Sequence, residues 1–177
     1  LGEEAAEKGK GKKKKAEAAP FTTPASVISA PLLVAAGEGL PEAMLLPLGE
    51  SDAQVVAAWL DEGGGVDARC ARRDDRTMLM VAAAGGHEAT VRMLLQRGAS
   101  VNLQTSNGLT ALMYAALEGH TTVAQALLDA KADASLQSTS GQAALTLAEQ
   151  QKHTASAQLL RQHAKRQAAE AEARAAA

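Results

Sequence analysis

The histidines are the residues of this chain whose spacing first suggests chemistry. His87, His120 and His153 recur at equal intervals, and imidazole nitrogens are common zinc and copper ligands. A metal ion needs each ligand at about 2 Å, whereas stacked helices lie about 8–10 Å apart. Three histidines that belong to separate helical units would therefore not share one ion. The spacing predicts a structural repeat and no metal site.

Cys70 is the other group with possible reactivity. It is the single cysteine, and it stands close to Arg69, Arg72 and Arg73. Neighbouring guanidinium groups favour a thiolate, so one interpretation is a thiol open to redox modification and the other is an exposed, incidental thiol. A single cysteine excludes an intramolecular disulfide. Without a glycosylation acceptor or a signal peptide, the sequence predicts an intracellular protein, cytoplasmic or nuclear.

Motifs typical of enzymes are missing from the sequence. It contains no Gly-x-Ser-x-Gly nucleophile turn, no Gly-x-x-x-x-Gly-Lys-Ser/Thr phosphate loop and no His-Glu-x-x-His zinc motif. Gly37 and Gly39 lack the third glycine of a dinucleotide-binding loop. We therefore predict no enzyme, no catalytic residue, no cofactor and no small-molecule substrate.

Composition indicates which elements position these residues. The 177 residues include 41 alanines but only three aromatic residues, Phe21, Trp59 and Tyr114. Sheets are enriched in β-branched and aromatic residues. A core of Ala and Leu suits helices instead, because alanine is the best helix former and lets helices approach closely. Composition therefore predicts an all-α fold.

The net charge of −2 hides a division along the chain. Residues 1–19 carry six Lys and four Glu (net +2), residues 20–160 carry eight basic and fourteen acidic side chains (net −6), and residues 161–177 carry four basic and two acidic (net +2). A nucleic-acid-binding domain concentrates basic residues on one folded face, so the acidic body argues against one. The longest apolar stretch, residues 25–36, is shorter than the ~20 residues of a membrane span.

The chain repeats itself at a constant period. The shift that places Thr77–His87 on Thr110–His120, applied once more, reaches His153. In the second unit, Thr110 is predicted to cap an inner helix, and Gly119 to end it in the left-handed conformation before an outer helix follows. Such a helix pair cannot bury its apolar faces alone, so neighbouring units must stack.

The pattern Thr-x-Leu-x-x-Ala-Ala-x-x-Gly-His, followed by Leu-Leu-x-x-Gly-Ala-x-Val-Asn, resembles the ankyrin repeat. The best matches are Thr77–Asn102 and Thr110–Ser135, and the resemblance covers about residues 51–164. It implies an all-α ankyrin-repeat solenoid of stacked helix-turn-helix units with short finger loops and a concave protein-binding side. Methionine stands at Met80 and Met113 where the family usually has histidine, so the usual Thr–His hydrogen bonding is expected to be absent.

The repeats divide the chain into six predicted segments. They are a disordered Lys-rich tail and linker (1–29), a degenerate N-terminal capping repeat (30–68), two ankyrin repeats (69–104 and 105–137), a C-terminal capping repeat (138–164) and an Ala-rich, coiled-coil-type helical extension (165–177). Ser51 is predicted to open a capping box, and Trp59 to cover the end of the stack. The last outer helix is predicted to begin near Thr154 and to run into the tail, because Arg161 replaces an outward leucine and no Gly-Ala stop follows.

The resemblance implies that a partner protein is bound by the fingers and by the exposed ends of the inner helices. Carried over by position, the partner-binding residues are Arg72, Arg73, Asp74, Arg76, Met80, Ser106, Asn107, Leu109, Met113, Leu117, Glu118, Thr139, Ser140 and Gln150. The two methionines and Leu117 are predicted to form an apolar strip, since methionine adapts its shape; the alternative is that both methionines pack in the core. Two other hypotheses are a nucleic-acid binder with a basic tail and a regulatory or targeting segment of a larger enzyme or channel. The second is suggested by the Lys-rich segment and by Leu1 standing where a Met would begin a complete chain.

Overall fold

The computed structural model describes residues 52–70 and 74–175, which form seven helices and a short hairpin. The inner helices are α2 (Met78–Gly85), α4 (Ala111–Glu118) and α6 (Ala144–Gln150). The outer helices are α1 (Asp52–Asp61), α3 (Glu88–Gln96), α5 (Thr121–Asp129) and α7 (Thr154–Ala175). Strands β1 (Arg69–Cys70) and β2 (Arg76–Thr77) pair antiparallel, with Cys70 opposite Arg76.

The helices stack in two layers. Inner helix α4 lies between α2 and α6, outer helices follow in the order α1, α3, α5 and α7, and each of α2, α4 and α6 also packs on the outer helix that follows it. This arrangement confirms the predicted all-α solenoid of helix-turn-helix units. Each repeat buries its apolar face against its neighbours, which is why one repeat could not fold alone.

Small side chains fill the places where the helices press together. Five alanines at matching repeat positions are completely buried: Ala82, Ala83, Ala115, Ala116 and Ala148. Helices can approach to the short end of the usual interaxial range only when the residues between them are small. The alanine excess within the repeats is therefore a packing requirement.

Threonine caps open the first two inner helices, and the cap predicted at Thr110 is confirmed. The hydroxyls of Thr77 and Thr110 accept hydrogen bonds from the backbone amides of Met80 (3.4 Å) and Met113 (3.3 Å). The Thr77 amide also donates to the Met80 sulfur at 3.4 Å. The hydrogen bonding expected to be absent without histidine is thus partly supplied by a thioether in this repeat. Ala143 opens α6 without a side-chain cap.

A left-handed residue followed by a histidine joins each inner helix to its outer helix. The left-handed residues are Gly86 (φ 74°), Gly119 (φ 78°) and Lys152 (φ 62°). The ring of His120 lies against Gly86, and the ring of His153 lies against Gly119. His120 and His153 therefore each make the same contact with the repeat before their own.

Helix α7 extends well beyond the stack. It begins at Thr154, where the sequence predicted it, and continues to Ala175. Its last buried residue is His163, and residues 164–175 are all exposed. No helix in residues 52–70 and 74–175 is long and apolar enough to cross a membrane. The predictions for the 1–29 tail, for residues 30–50 and for the Ser51 cap lie outside the described residues, and the division into central and capping repeats stays a prediction.

The tip of the first finger places two aspartates in the left-handed region. Asp74 has φ 54° and Asp75 has φ 58°. The equivalent pairs in the next two fingers are Asn107–Gly108 and Ser140–Gly141, in which the second residue is a glycine. Both aspartates of the first finger have positive φ, as the central residues of a type I′ turn do, whereas only the glycine does so in the other two fingers. Asp75 therefore carries backbone strain that the other fingers avoid.

Replacing Asp75 with glycine is expected to stabilise the protein by about 0.5 kcal/mol. Relief of the left-handed strain, about 1–2 kcal/mol for an ordinary L-residue, exceeds the extra unfolded-state entropy of glycine, about 0.5–1 kcal/mol. Urea unfolding followed by circular dichroism measures the change. The reciprocal Gly141→Asp variant should lower the unfolding midpoint, and a lower midpoint for Asp75→Gly would contradict the assignment of strain to this turn.

Candidate protein-binding surface

The three finger tips form one hydrogen-bonded row. The Ser106 amide donates to the Asp74 carbonyl at 3.0 Å, and the Thr139 amide donates to the Asn107 carbonyl at 3.0 Å. The Thr139 hydroxyl also donates to the Asn107 carbonyl, at 3.1 Å. These fingers are held to one another by their backbones, so their tips present one ordered surface.

A second set of hydrogen bonds ties the bases of the fingers together. The Arg69 guanidinium donates to the Gln104 carbonyl at 2.8 Å. The Gln104 side-chain amide then donates to the Gln137 carbonyl at 3.0 Å and to the Gly108 carbonyl at 2.8 Å. Sequence reasoning missed both positioning residues. Arg69 and Gln104 occupy equivalent positions in consecutive repeats, and both have long side chains that can donate a hydrogen bond. This equivalence is the signal by which the sequence could have identified them.

Most of the sequence-predicted binding residues lie on the row of fingers or beside it. The exposed ones are Asp74, Ser106, Asn107, Glu118, Thr139, Ser140 and Gln150. Arg76, Leu109 and Leu117 are half-buried. Arg72 and Arg73 lie outside the described residues. The finger-tip residues are therefore open to solvent, and Leu109 and Leu117 are partly open.

The placement of Met80 and Met113 on this surface was wrong. Each side chain is 1% exposed. Met80 lies on α2 and Met113 on α4. Helix α4 packs between α2 and α6, so each methionine is followed by another inner helix. Their thioethers fill the space between inner helices, so the apolar strip retains Leu117 but not the methionines. The core alternative is the correct one.

Arg76 is the charged group with the most specific surroundings on the surface. Its guanidinium carbon lies 4.7 Å from the centre of the Tyr114 ring, a cation–π distance. Burial raises the pKa of the Tyr114 hydroxyl, and the charge of Arg76 acts in the opposite direction. The nearest carboxylate is that of Asp74, whose oxygen is 3.7 Å from one guanidinium nitrogen. The guanidinium of Arg76 therefore lies over a ring that belongs to the next repeat.

Cys70 and Trp59 are both withdrawn from solvent. Cys70 is 4% exposed, so the expectation of an exposed thiol was wrong, and its position on β1 at the base of the hairpin explains the burial. Trp59 is 2% exposed, and its ring lies directly against the backbone of Gly64. Neither side chain offers a surface for a ligand. Among residues 52–70 and 74–175, no three His, Cys, Asp or Glu side chains gather where they could hold a metal ion.

The repeated helix pairs, the glycine–histidine junctions and the row of fingers agree with comparison to known families. A profile described as ankyrin repeats (three copies) matches residues 32–138 and, in a second placement, residues 79–172. The chain belongs to the ankyrin-repeat family. This membership agrees with the resemblance of Thr77–Asn102 and Thr110–Ser135, and ankyrin repeats are generally protein–protein interaction modules without catalysis.

Two relatives of this ankyrin-repeat chain share part of its sequence. It is 42% identical over 68 residues to a mouse (Mus musculus) protein, ankyrin repeat and SAM domain-containing protein 6, and 43% identical over 67 residues to the rat (Rattus norvegicus) protein of the same name. Each match covers 38% of this chain and 7% of the relative. The similarity therefore extends over a small part of much longer proteins.

Proposed function

We propose that this ankyrin stack is a non-enzymatic interaction module that holds a partner protein in the groove between its fingers and its inner helices. The observation that carries the proposal is the hydrogen-bonded row of fingers, in which the carbonyls of Asp74 and Asn107 are bound by the next finger. A surface that is ordered before binding loses less conformational entropy when a partner docks. The fingers thus provide a rigid rim for recognition.

The inner side of this rim supplies apolar contact area. Leu109 and Leu117 are half-buried, and the finger-tip residues Ser106 and Asn107 are exposed. Interfaces between proteins commonly combine an apolar centre with a polar rim that remains wet. A groove of this composition suits an extended or loop segment of a partner better than it suits a small molecule, which is usually bound in a closed pocket.

Leu117→Asp is expected to lower capture of the native partner by about tenfold or more without unfolding the stack, because it places an unpaired charge in a desolvated interface. Capture from the native cell is compared with that of the parent chain, and circular dichroism checks the fold. Ala89→Asp, an exposed position on outer helix α3, is the matched control and should capture normally. If the parent chain and both variants captured the partner equally, the groove would not be part of the interface.

A second candidate function is that of a regulatory or targeting segment within a larger enzyme or channel. It is favoured by the 7% coverage of the relatives, whose printed names include a SAM domain beside the ankyrin repeats. The experiment is to sequence the complete transcript that encodes this chain. An adjoining catalytic or membrane domain would support this candidate, and a complete open reading frame limited to the repeats would exclude it.

A further inference from the structure

Hydrogen bonds tie the turns that follow outer helices α3 and α5 to the preceding repeat. The Ser100 amide donates to Oδ1 of Asp67 at 2.8 Å, which we call the first turn contact. The Asp133 amide donates to Oδ1 of Asn102 at 2.8 Å, which is the second turn contact. Ser100 and Asp133 occupy the same position in successive repeats, so the two contacts can be compared directly.

The two turn contacts differ in where they carry negative charge. Asp133 is an anion, because hydrogen bonds from the Ser135 hydroxyl (2.6 Å) and amide (2.8 Å) lower the pKa of its carboxyl group. Its acceptor across the contact, Asn102, is neutral. In the first turn contact the charges are exchanged, since Ser100 is neutral and Asp67 carries the carboxylate. Each contact therefore holds one negative charge, and a second one on Ser100 would produce a like-charge pair that the second contact does not contain.

Ser100 lies where an enzyme can add that charge. It is exposed, and residues 97–104, between α3 and the next finger, form neither helix nor strand. Of all the serines and threonines in the chain, Ser100 alone has an arginine three residues before it, Arg97. Protein kinases recognise charge patterns around the acceptor hydroxyl, and one class of them selects an arginine at this spacing. The Arg97 side chain is 41% exposed, so both groups that such a kinase needs are open to solvent.

From this geometry we propose that Ser100 is a phosphorylation site whose modification loosens the first turn contact. The Ser100 hydroxyl oxygen attacks the γ-phosphorus of ATP on a kinase, the bond from that phosphorus to the ADP oxygen breaks, and the hydroxyl proton is released. The product carries a charge of about −2 at neutral pH. Its phosphate belongs to the residue whose amide donates to Asp67, so the phosphate and the Asp67 carboxylate repel each other. This inference does not depend on the proposed groove function.

A second polar contact in the same region responds to the phosphate in the same direction. Nη1 of Arg97 lies 2.6 Å from Oδ1 of Asp61, at the end of α1. Arginine binds phosphate through two parallel hydrogen bonds, so a phosphate three residues from Arg97 competes with Asp61 for the guanidinium. Modification of Ser100 therefore weakens two polar contacts between the α1 region and the turn after α3.

The modification itself is tested on the full chain with ATP and the catalytic subunit of cAMP-dependent protein kinase, an arginine-selective enzyme. Mass spectrometry of the intact chain and of its fragments is expected to find one phosphoryl group, on Ser100. Arg97→Gln should slow incorporation about tenfold, because the kinase loses a charge-assisted hydrogen bond. Ser100→Ala should accept no phosphate, whereas Ser135→Ala, at an exposed serine without an upstream arginine, should be modified like the parent.

Charge variants test the effect on the first turn contact. Urea unfolding followed by circular dichroism compares Ser100→Asp with its neutral isostere Ser100→Asn. The folding equilibrium constant of the Asp variant is expected to be about fivefold lower, the factor for two unit charges about 4 Å apart in water. In an Asp67→Asn background, which copies the pair of Asn102 and Asp133, the two variants should unfold alike. Gln167→Glu, on the exposed end of α7, is the control for net charge and should leave unfolding unchanged.

The phosphorylated chain should lose at least as much stability as Ser100→Asp, and Asp67→Asn should reduce that loss. Three results would overturn the inference. They are no phosphate on Ser100 in the folded chain, equal unfolding of Ser100→Asp and Ser100→Asn, and a difference between these two variants that is the same with Asp67 and with Asp67→Asn. The last result would mean that the added charge acts somewhere other than at the first turn contact.

Discussion

Replacing Gly86 with alanine is expected to destabilise the stack by about 3 kcal/mol, of which a left-handed conformation held by an L-residue costs roughly 1–3 kcal/mol. A Cβ atom at this position would also lie 2.6 Å from Nδ1 and 2.7 Å from Cε1 of His120. The ring has little freedom to withdraw, because its Nε2 is 3.1 Å from the Ala84 carbonyl. The substitution must therefore separate two repeats or break this hydrogen bond.

The matched control for this prediction is Gly98→Ala. Gly98 also has a positive φ, 85°, but a Cβ there would meet no atom within 4 Å. The equivalent position in the next repeat is already a lysine, Lys131, with φ 67°. Gly98→Ala is therefore expected to cost only the backbone term, about 1 kcal/mol. The difference between the two variants in the free energy of unfolding therefore measures the contribution of the contact between repeats.

The last repeat provides a natural comparison for the same contact. Lys152 occupies the position of Gly86 with φ 62°, and no further repeat is stacked on α6 and α7 among the described residues. A side chain is thus accepted where no histidine ring presses on the junction. Urea unfolding of both glycine variants, followed by circular dichroism, tests this explanation. Equal losses for Gly86→Ala and Gly98→Ala would mean that the histidine contact contributes nothing.

The features that the sequence predicted well depend on residues close in the chain. The threonine caps, the left-handed Gly119 and the start of α7 at Thr154 each follow from one residue type at one local position. Because the repeat period is constant, an inference made for one repeat also applies to the equivalent position in the other repeats. Helix order and layer packing were predictable for the same reason, since each unit contacts only its neighbours.

The features that the sequence did not predict depend on contacts between repeats. Whether an inner-helix side chain is open to the groove depends on how closely the next repeat approaches it. The sequence pattern alone does not give the distance between neighbouring repeats. Cys70 was expected in an exposed finger, but it lies at the buried base of the hairpin. The bridging roles of Arg69 and Gln104 depend on backbone carbonyls of the following finger. Carbonyl direction is a property of the stack, not of residue type.

Met113 shows this dependence most directly, through its equivalents in the other repeats. Met80 and Met113 are each 1% exposed, whereas Thr146, at the same position in the last described repeat, is exposed. The side chain at this position is buried only when another inner helix follows. The methionines therefore hold neighbouring repeats together. Truncating either side chain is expected to lower the free energy of unfolding rather than to weaken partner binding directly.

Met113→Ala is accordingly expected to lower the free energy of unfolding by about 3 kcal/mol, within the range of roughly 2–5 kcal/mol for buried large-to-small substitutions. Met113→Leu keeps the volume and should cost less than about 1.5 kcal/mol, and Thr146→Ala at the exposed equivalent should change stability by less than about 0.5 kcal/mol. Urea unfolding of the three variants measures the series. If Met113→Ala unfolded like the parent but captured less partner, the side chain would belong to the binding surface after all; the packing of α4 between α2 and α6 predicts the reverse.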